Sequence, residues 1–120
     1  MNKEERQMAI NRLAEETKLL LRQSERENLH WKGTRLDLME ALYEVYLNGS
    51  IRDDMGQPLP FMSLVRQACT ILHVAVPRNP YDCARRGMQR KGLIRPNYLD
   101  RYQYLFAVRG NQEPLWEEIY

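Results

Sequence analysis

The stretch between Thr34 and Gly49 constrains this chain more than any other. Thr34-Arg35-Leu36-Asp37 reads as a helix start, with Thr34 as N-cap and Asp37 reaching back in a capping box. Gly49 reads as a left-handed stop. Between them the polar side chains Asp37, Glu40, Glu44 and Asn48 recur at helical spacing. Leu36, Leu38, Met39, Leu42, Tyr43, Val45, Tyr46 and Leu47 fill the remaining surface. One narrow polar stripe on an otherwise apolar cylinder predicts a helix packed from several sides. A helix of that kind needs other helices around it, so a small, mainly α domain is expected with this segment at its centre.

Further starts and stops flank it. Residues 2–26 read as a helix with Glu4 and Glu5 in the first turn, where the helix dipole favours them. Ile10, Leu13, Thr17, Leu20 and Ser24 make a thin seam along it, widened by Ala14 and Leu21. The seam suits packing on its own domain; a homodimer or a partner protein held through residues 1–26 is the other reading. Leu29–Trp31 and Ser50–Arg52 look short and extended, and are expected to pair. The Asp53-Asp54 sequence sits in a turn-rich loop and lacks the alternating oxygen ligands and closing Glu of a calcium loop. A third helix is expected from Pro60, with Phe61, Leu64, Val65, Ala68 and Leu72 on its buried face. Asn79-Pro80-Tyr81-Asp82 predicts a fourth start, with the helix running to about Lys91 and stopping at Gly92. Asn97-Tyr98-Leu99-Asp100 predicts a fifth, although Tyr102–Phe106 also suits a strand. The expected organisation is a charged N-terminal helix over 1–28, a helical domain over 29–107 and a tail over 108–120, with Leu115, Trp116 and Ile119 as candidates to dock.

Composition removes several classes. No apolar run approaches the roughly 18 residues of a membrane helix, and MNKEERQMAINR holds no apolar signal core. Two cysteines, Cys69 and Cys83, do not make a disulfide scaffold, which points to a reducing cytoplasm. The two histidines, His30 and His73, belong to no metal-ligand pattern; His73 at a helix end is expected to serve its last carbonyls. Cys83 lies near Arg86 and a helix N-terminus, where a thiolate is favoured, but no histidine accompanies it. No nucleophile–base set, phosphate loop, metal site or cofactor motif is visible, and no enzyme is expected.

Charge supplies the functional clue. The chain carries a net +2, and residues 78–101 alone hold seven basic and two acidic side chains. All the excess positive charge therefore sits in one window. Stepping about 100° per residue, Asp82, Arg85, Arg86, Gln89 and Arg90 fall on one continuous face of the fourth helix. Tyr81, Ala84 and Met88 form its narrow buried stripe. Arginine and glutamine are the residue types that read guanine and adenine edges, and Arg78, Lys91 and Arg95 suit phosphates. Gly87 costs about 1 kcal/mol in a helix interior, which a close approach to another backbone would explain.

The order of elements, an apolar helix, an amphipathic helix, a short connection and a basic helix, is that of a helix-turn-helix unit. Short extended pieces and the segment 92–97 fit a winged version. Leu29-His30-Trp31-Lys32-Gly33-Thr34, Leu38-Met39-Glu40-Ala41-Leu42-Tyr43, Asn48-Gly49-Ser50-Ile51, Arg90-Lys91 and Tyr98-Leu99-Asp100 together resemble the C-terminal domain of RteC-type proteins over roughly residues 29–106. That resemblance implies a winged-helix-like DNA-binding domain and a regulatory role in conjugative transposons, acting on excision and transfer genes. The expected function is a DNA-binding regulatory or accessory protein of a mobile element, contacting double-stranded DNA through Arg78, Arg85, Arg86, Gln89, Arg90, Lys91 and Arg95. The alternatives are a protein-interaction module of the same fold, using residues 1–26 and the Trp116 tail, and an RNA binder. Single-stranded RNA calls for exposed aromatic rings, and Tyr81 and Tyr98 are expected in the core.

Overall fold

The computed structural model describes residues 2–90 and 96–120. Five α-helices form in it: α1 (Lys3–Leu21), α2 (Arg35–Asn48), α3 (Phe61–Leu72), α4 (Pro80–Met88) and α5 (Tyr98–Gln103). A π-helical turn, Tyr104–Val108, continues α5, and 3-10 turns span Glu25–Glu27 and Trp116–Glu118. The described residues include isolated bridges and no named strand, so the fold is all-α. The Cα radius of gyration is 13.6 Å, in line with roughly 13–14 Å for a compact chain of this length. No helix among the described residues is long and apolar enough to cross a membrane.

The helix ends follow local chemistry. Thr34, Asn79 and Asn97 each accept a backbone N–H from the third residue of their helix, at 3.1, 3.1 and 2.8 Å. Gly49 closes α2 at φ +69°. α1 ends at Leu21 rather than near residue 26: Ser24 caps the following turn instead, and Asn28 stops that turn in the left-handed region.

α2 lies at the centre, packed against all four other helices. Leu38, Met39, Ala41, Leu42 and Val45 are buried on it. Its acidic stripe is buried as well: Asp37 is 0%, Glu40 1% and Glu44 8% exposed. The predicted face of α3 is buried throughout, at Phe61, Leu64, Val65, Ala68 and Leu72. Ala9, Leu13, Ala14 and Leu20 of α1 and Leu115 of the tail join the same apolar cluster. The segments 1–28, 29–107 and 108–120 therefore share one core.

The extended pieces pair differently from expectation. His30 and Lys32 bond to the C-terminal segment, with His30 N–H to the Tyr120 carbonyl at 2.7 Å and Lys32 N–H to the Glu118 carbonyl at 2.8 Å. Ile51 instead pairs within its own hairpin, accepting the Leu59 N–H at 2.9 Å. Ile51 and Leu59 are only eight residues apart, so the nearer partner wins on loop closure. Residues 102–106 take the helical alternative, not the strand.

One buried side chain adds to the hold on the tail. Glu16, 0% exposed on α1, accepts the Leu115 and Trp116 N–H groups at 3.1 and 2.9 Å and the Tyr102 hydroxyl at 2.6 Å. The Trp116 indole N–H donates to the Glu16 carbonyl at 3.1 Å. A buried carboxylate can persist only when its oxygens are occupied in this way.

Candidate nucleic-acid interface

α4 is a nine-residue helix placed by Asn79 at its cap and Pro80 at its first position. Cys83, Ala84 and Gly87 are buried toward α2. A Cβ built on Gly87 would lie 3.0 Å from Glu40 Oε1 and 3.3 Å from the Leu36 carbonyl. The backbone that Gly87 approaches is thus that of α2, and the missing methyl sets how closely the two helices pack.

The basic residues of this stretch divide into two groups. Arg85 and Arg86 point outward, with side chains 68% and 58% exposed. Both reach Asp82 on their own helix, at 2.7 and 3.2 Å. Gln89 and Arg78 are exposed, and neither side chain makes a hydrogen bond or ion pair among the described residues. Arg86 Nη2 also lies 3.6 Å from the buried Cys83 sulfur.

Arg90 departs from the expected face. α4 ends at Met88, short of the predicted Lys91, so helical stepping no longer carries Arg90 outward. Its N–H turns back to the Gly87 carbonyl at 3.2 Å, and its guanidinium reaches Asp37 at 2.5 Å and Glu40 at 3.5 Å. Arg101 of α5 meets the same Asp37 oxygen at 2.6 Å and lies over the Tyr98 ring at 5.6 Å. Burial pushes the Asp37 carboxyl upward, but the two guanidinium bonds outweigh it and hold the group below the usual carboxylate range. Glu40 caps α5, accepting the Tyr98 and Leu99 N–H groups at 3.0 and 2.9 Å. Asp37 and Glu40, read from the sequence as part of the polar side of α2, are therefore the anchor for α5 and for the end of α4. Its signal in the sequence was a row of carboxylates on a helix whose remaining surface is apolar.

Lys91 and Arg95, together with most of the wing expected at 92–97, lie outside the described residues.

Tyr81 corrects another expectation. It is 49% exposed, although its ring packs on Phe61 at 4.7 Å and meets Tyr43 edge-on at 6.2 Å. Helical stepping placed it beside Ala84, but at the second residue of α4 it overhangs the helix end. Tyr98 is buried as expected. Tyr81 stands on the wall of an open groove of about 580 Å³, lined also by Tyr43, Asn79, Asp82, Arg85, Met88 and Gln89.

The remaining candidates occupy structural positions. His73 takes the left-handed C-cap of α3: its backbone N–H donates to the Cys69 and Thr70 carbonyls, while its imidazole Nδ1 lies 2.9 Å from the Leu29 carbonyl. His30 packs between His73 and Tyr120. Burial pushes the Cys69 thiol up to about 11. Leu13, Thr17 and Leu20 of the α1 seam are buried within the chain's own core. Among the described residues no group of three or more His, Cys, Asp or Glu side chains is placed to hold a metal ion. No known protein family, no curated protein and no solved structure matches the chain.

Proposed function

We propose that the protein binds double-stranded DNA through the outward side of α4, with Arg85, Arg86 and Gln89 toward base edges and Arg78 on a phosphate. The observation that carries this reading is the exposed basic surface itself: three guanidinium groups and a carboxamide against one carboxylate, Asp82. A guanidinium matches the two acceptors of guanine, and a carboxamide matches adenine. The succession α2, α3, α4 supports a helix-turn-helix arrangement with α4 as the recognition helix. Arg90 leaves the contact set, because its guanidinium is committed to Asp37 and Glu40. It is a positioning residue that fixes the end of α4. Lys91 and Arg95 stay in the contact set on their sequence alone. A regulatory or accessory role in a mobile element rests on the resemblance to RteC-type proteins, and a cytoplasmic location goes with it.

A titration on duplex DNA at two salt concentrations tests the reading. Binding is expected to weaken steeply as salt rises. Arg86→Ala is expected to cost about 1–3 kcal/mol on the preferred sequence. Arg78→Ala is expected to weaken all sequences alike and to lower the salt slope by about one. Absence of binding at low salt removes the proposal.

A further inference from the structure

The groove beside the basic face is built differently from the face itself. Tyr81 and Tyr43 give it an aromatic wall, Met88 a polarisable one, and Asn79, Arg85 and Gln89 a polar rim. Its volume of about 580 Å³ falls within the range of roughly 300–1,000 Å³ typical of ligand clefts. The Asn79 carbonyl oxygen is used to cap α4, which leaves its Nδ2 group as a donor. The Gln89 carboxamide offers a donor and an acceptor side by side, and it makes no hydrogen bond among the described residues. Half of Tyr81 remains uncovered, while Phe61 supports its ring from the core side.

We infer that this groove receives one unpaired nucleobase of the bound DNA, stacked against Tyr81 and hydrogen-bonded at its edge by Gln89 and Asn79. The inference rests on the duplex-binding reading and adds the structural feature of DNA that the site selects. An aromatic ring beside guanidinium groups is the arrangement that holds a splayed base, since every base has a face to stack and a phosphate close by. Charge argues for this occupant: Arg85 lines the groove, and Asp82, the one acid on its lining among the described residues, is paired with both Arg85 and Arg86. A base that is already unpaired costs least to bring into such a pocket.

The test compares three DNA ligands of equal length on the full chain: a plain duplex, the same duplex with a single bulged adenine, and one with an abasic bulge. The bulged adenine is expected to bind at least about fivefold tighter than the plain duplex, the gain that one stacked base supplies. The abasic bulge is expected to bind like the plain duplex. Tyr81→Phe keeps the preference, and Tyr81→Ala removes it while leaving plain-duplex affinity in place. Equal binding of adenine bulge and plain duplex overturns the inference and spares the duplex reading; so does tight binding of the abasic bulge. Failure of all three to bind at low salt removes both.

Discussion

Two pairs of arginines lie within the same short window and meet different fates. Arg85 and Arg86 share Asp82 in the solvent, with side chains more than half exposed. Arg90 and Arg101 share Asp37, whose side chain is 0% exposed, and their own side chains are 22% and 26% exposed. In water an ion pair on one helix face contributes a few tenths of a kcal/mol. In the interior the Coulomb gain grows, but so does the cost of stripping water from the charges, and neither partner can then be lost cheaply. The window's excess positive charge is accordingly not a surface quantity. Among the described residues, two of its cations, Arg90 and Arg101, are answered by a carboxylate, Asp37, that the sequence supplies more than fifty residues earlier. What remains outside is a smaller basic face than the sequence count suggests.

The sharpest way to break this contrast is Asp37→Ala. It strands two guanidinium groups against a buried helix and is expected to cost about 3 kcal/mol, near the lower end for a broken buried pair because both arginines keep some water. Urea denaturation measures it. Replacing Asp37, Arg90 and Arg101 together by apolar residues of similar size is expected to recover part of that loss: neither arginine is then stranded, and Glu40 keeps the Tyr98 and Leu99 N–H groups although it loses Arg90. A triple variant as unstable as the single one would show that the arginines matter for something other than charge.

Gly87→Ala probes the same contact from α4. Alanine favours the helix by about 1 kcal/mol, yet its methyl meets Glu40 Oε1 at 3.0 Å. Glu40 cannot swing away without releasing the Tyr98 and Leu99 N–H groups. The overpacking cost of about 1–3 kcal/mol therefore outweighs propensity, and a net loss of about 1 kcal/mol is expected in the same denaturation assay. Glu40→Ala is expected to reduce that extra penalty of the glycine substitution without abolishing it, because the Leu36 carbonyl and the Cβ of residue 40 stay 3.3 Å from the new methyl.

Acidity separates the buried carboxylates from one another. Asp37 is held below its ordinary range, so its contribution is complete at neutral pH and is lost as pH falls below about 4. Glu16 and Glu44 behave oppositely. Burial raises both, against the hydrogen bonds from Tyr102, Trp116 and Leu115 at Glu16 and the charge of Arg6 at Glu44. The fold therefore takes up these protons before the unfolded chain does, and stability from them rises as pH falls from neutral toward 4.5. Urea midpoints are expected to climb on mild acidification and then drop. In Glu16→Gln the climb shrinks and the drop stays; a midpoint that falls steadily from pH 7 contradicts this assignment.

The sequence made the helix starts legible because they are local. Thr34, Asn79 and Asn97 need only the next three residues to act. The buried face of α3 was legible for the same reason, since its periodicity is its own. Partners far along the chain were not. Glu16 sits in a helix crowded with charge and looks like one more solvated acid, yet its partners are at positions 102, 115 and 116. Arg90 went astray through a difference of a few residues in where α4 ends. A helix face is a sound prediction only as far as the helix runs, and the last turn is where such boundaries slip. Tyr81 shows the converse at the other end, where the first turn overhangs its support.

The outer pair provides the mildest test and the most selective one. Asp82→Asn is the counterpart of a change at Asp37, made on the solvent side. Its stability cost is expected to stay within about 0.5 kcal/mol, because Arg85 and Arg86 are already solvated and lose only weak pairing. Its effect on DNA is expected to have the opposite sign. Removing the carboxylate releases both guanidinium groups from their tether and takes a negative charge away from the phosphate path, so duplex affinity rises, most of all at low salt. Asp37→Ala, by contrast, is expected to weaken DNA binding, through unfolding and through the loosened end of α4. If Asp82→Asn leaves duplex affinity unchanged at low salt, the exposed arginines of α4 are not where the polyanion sits, and the outward face loses the role that distinguishes it from the inward one.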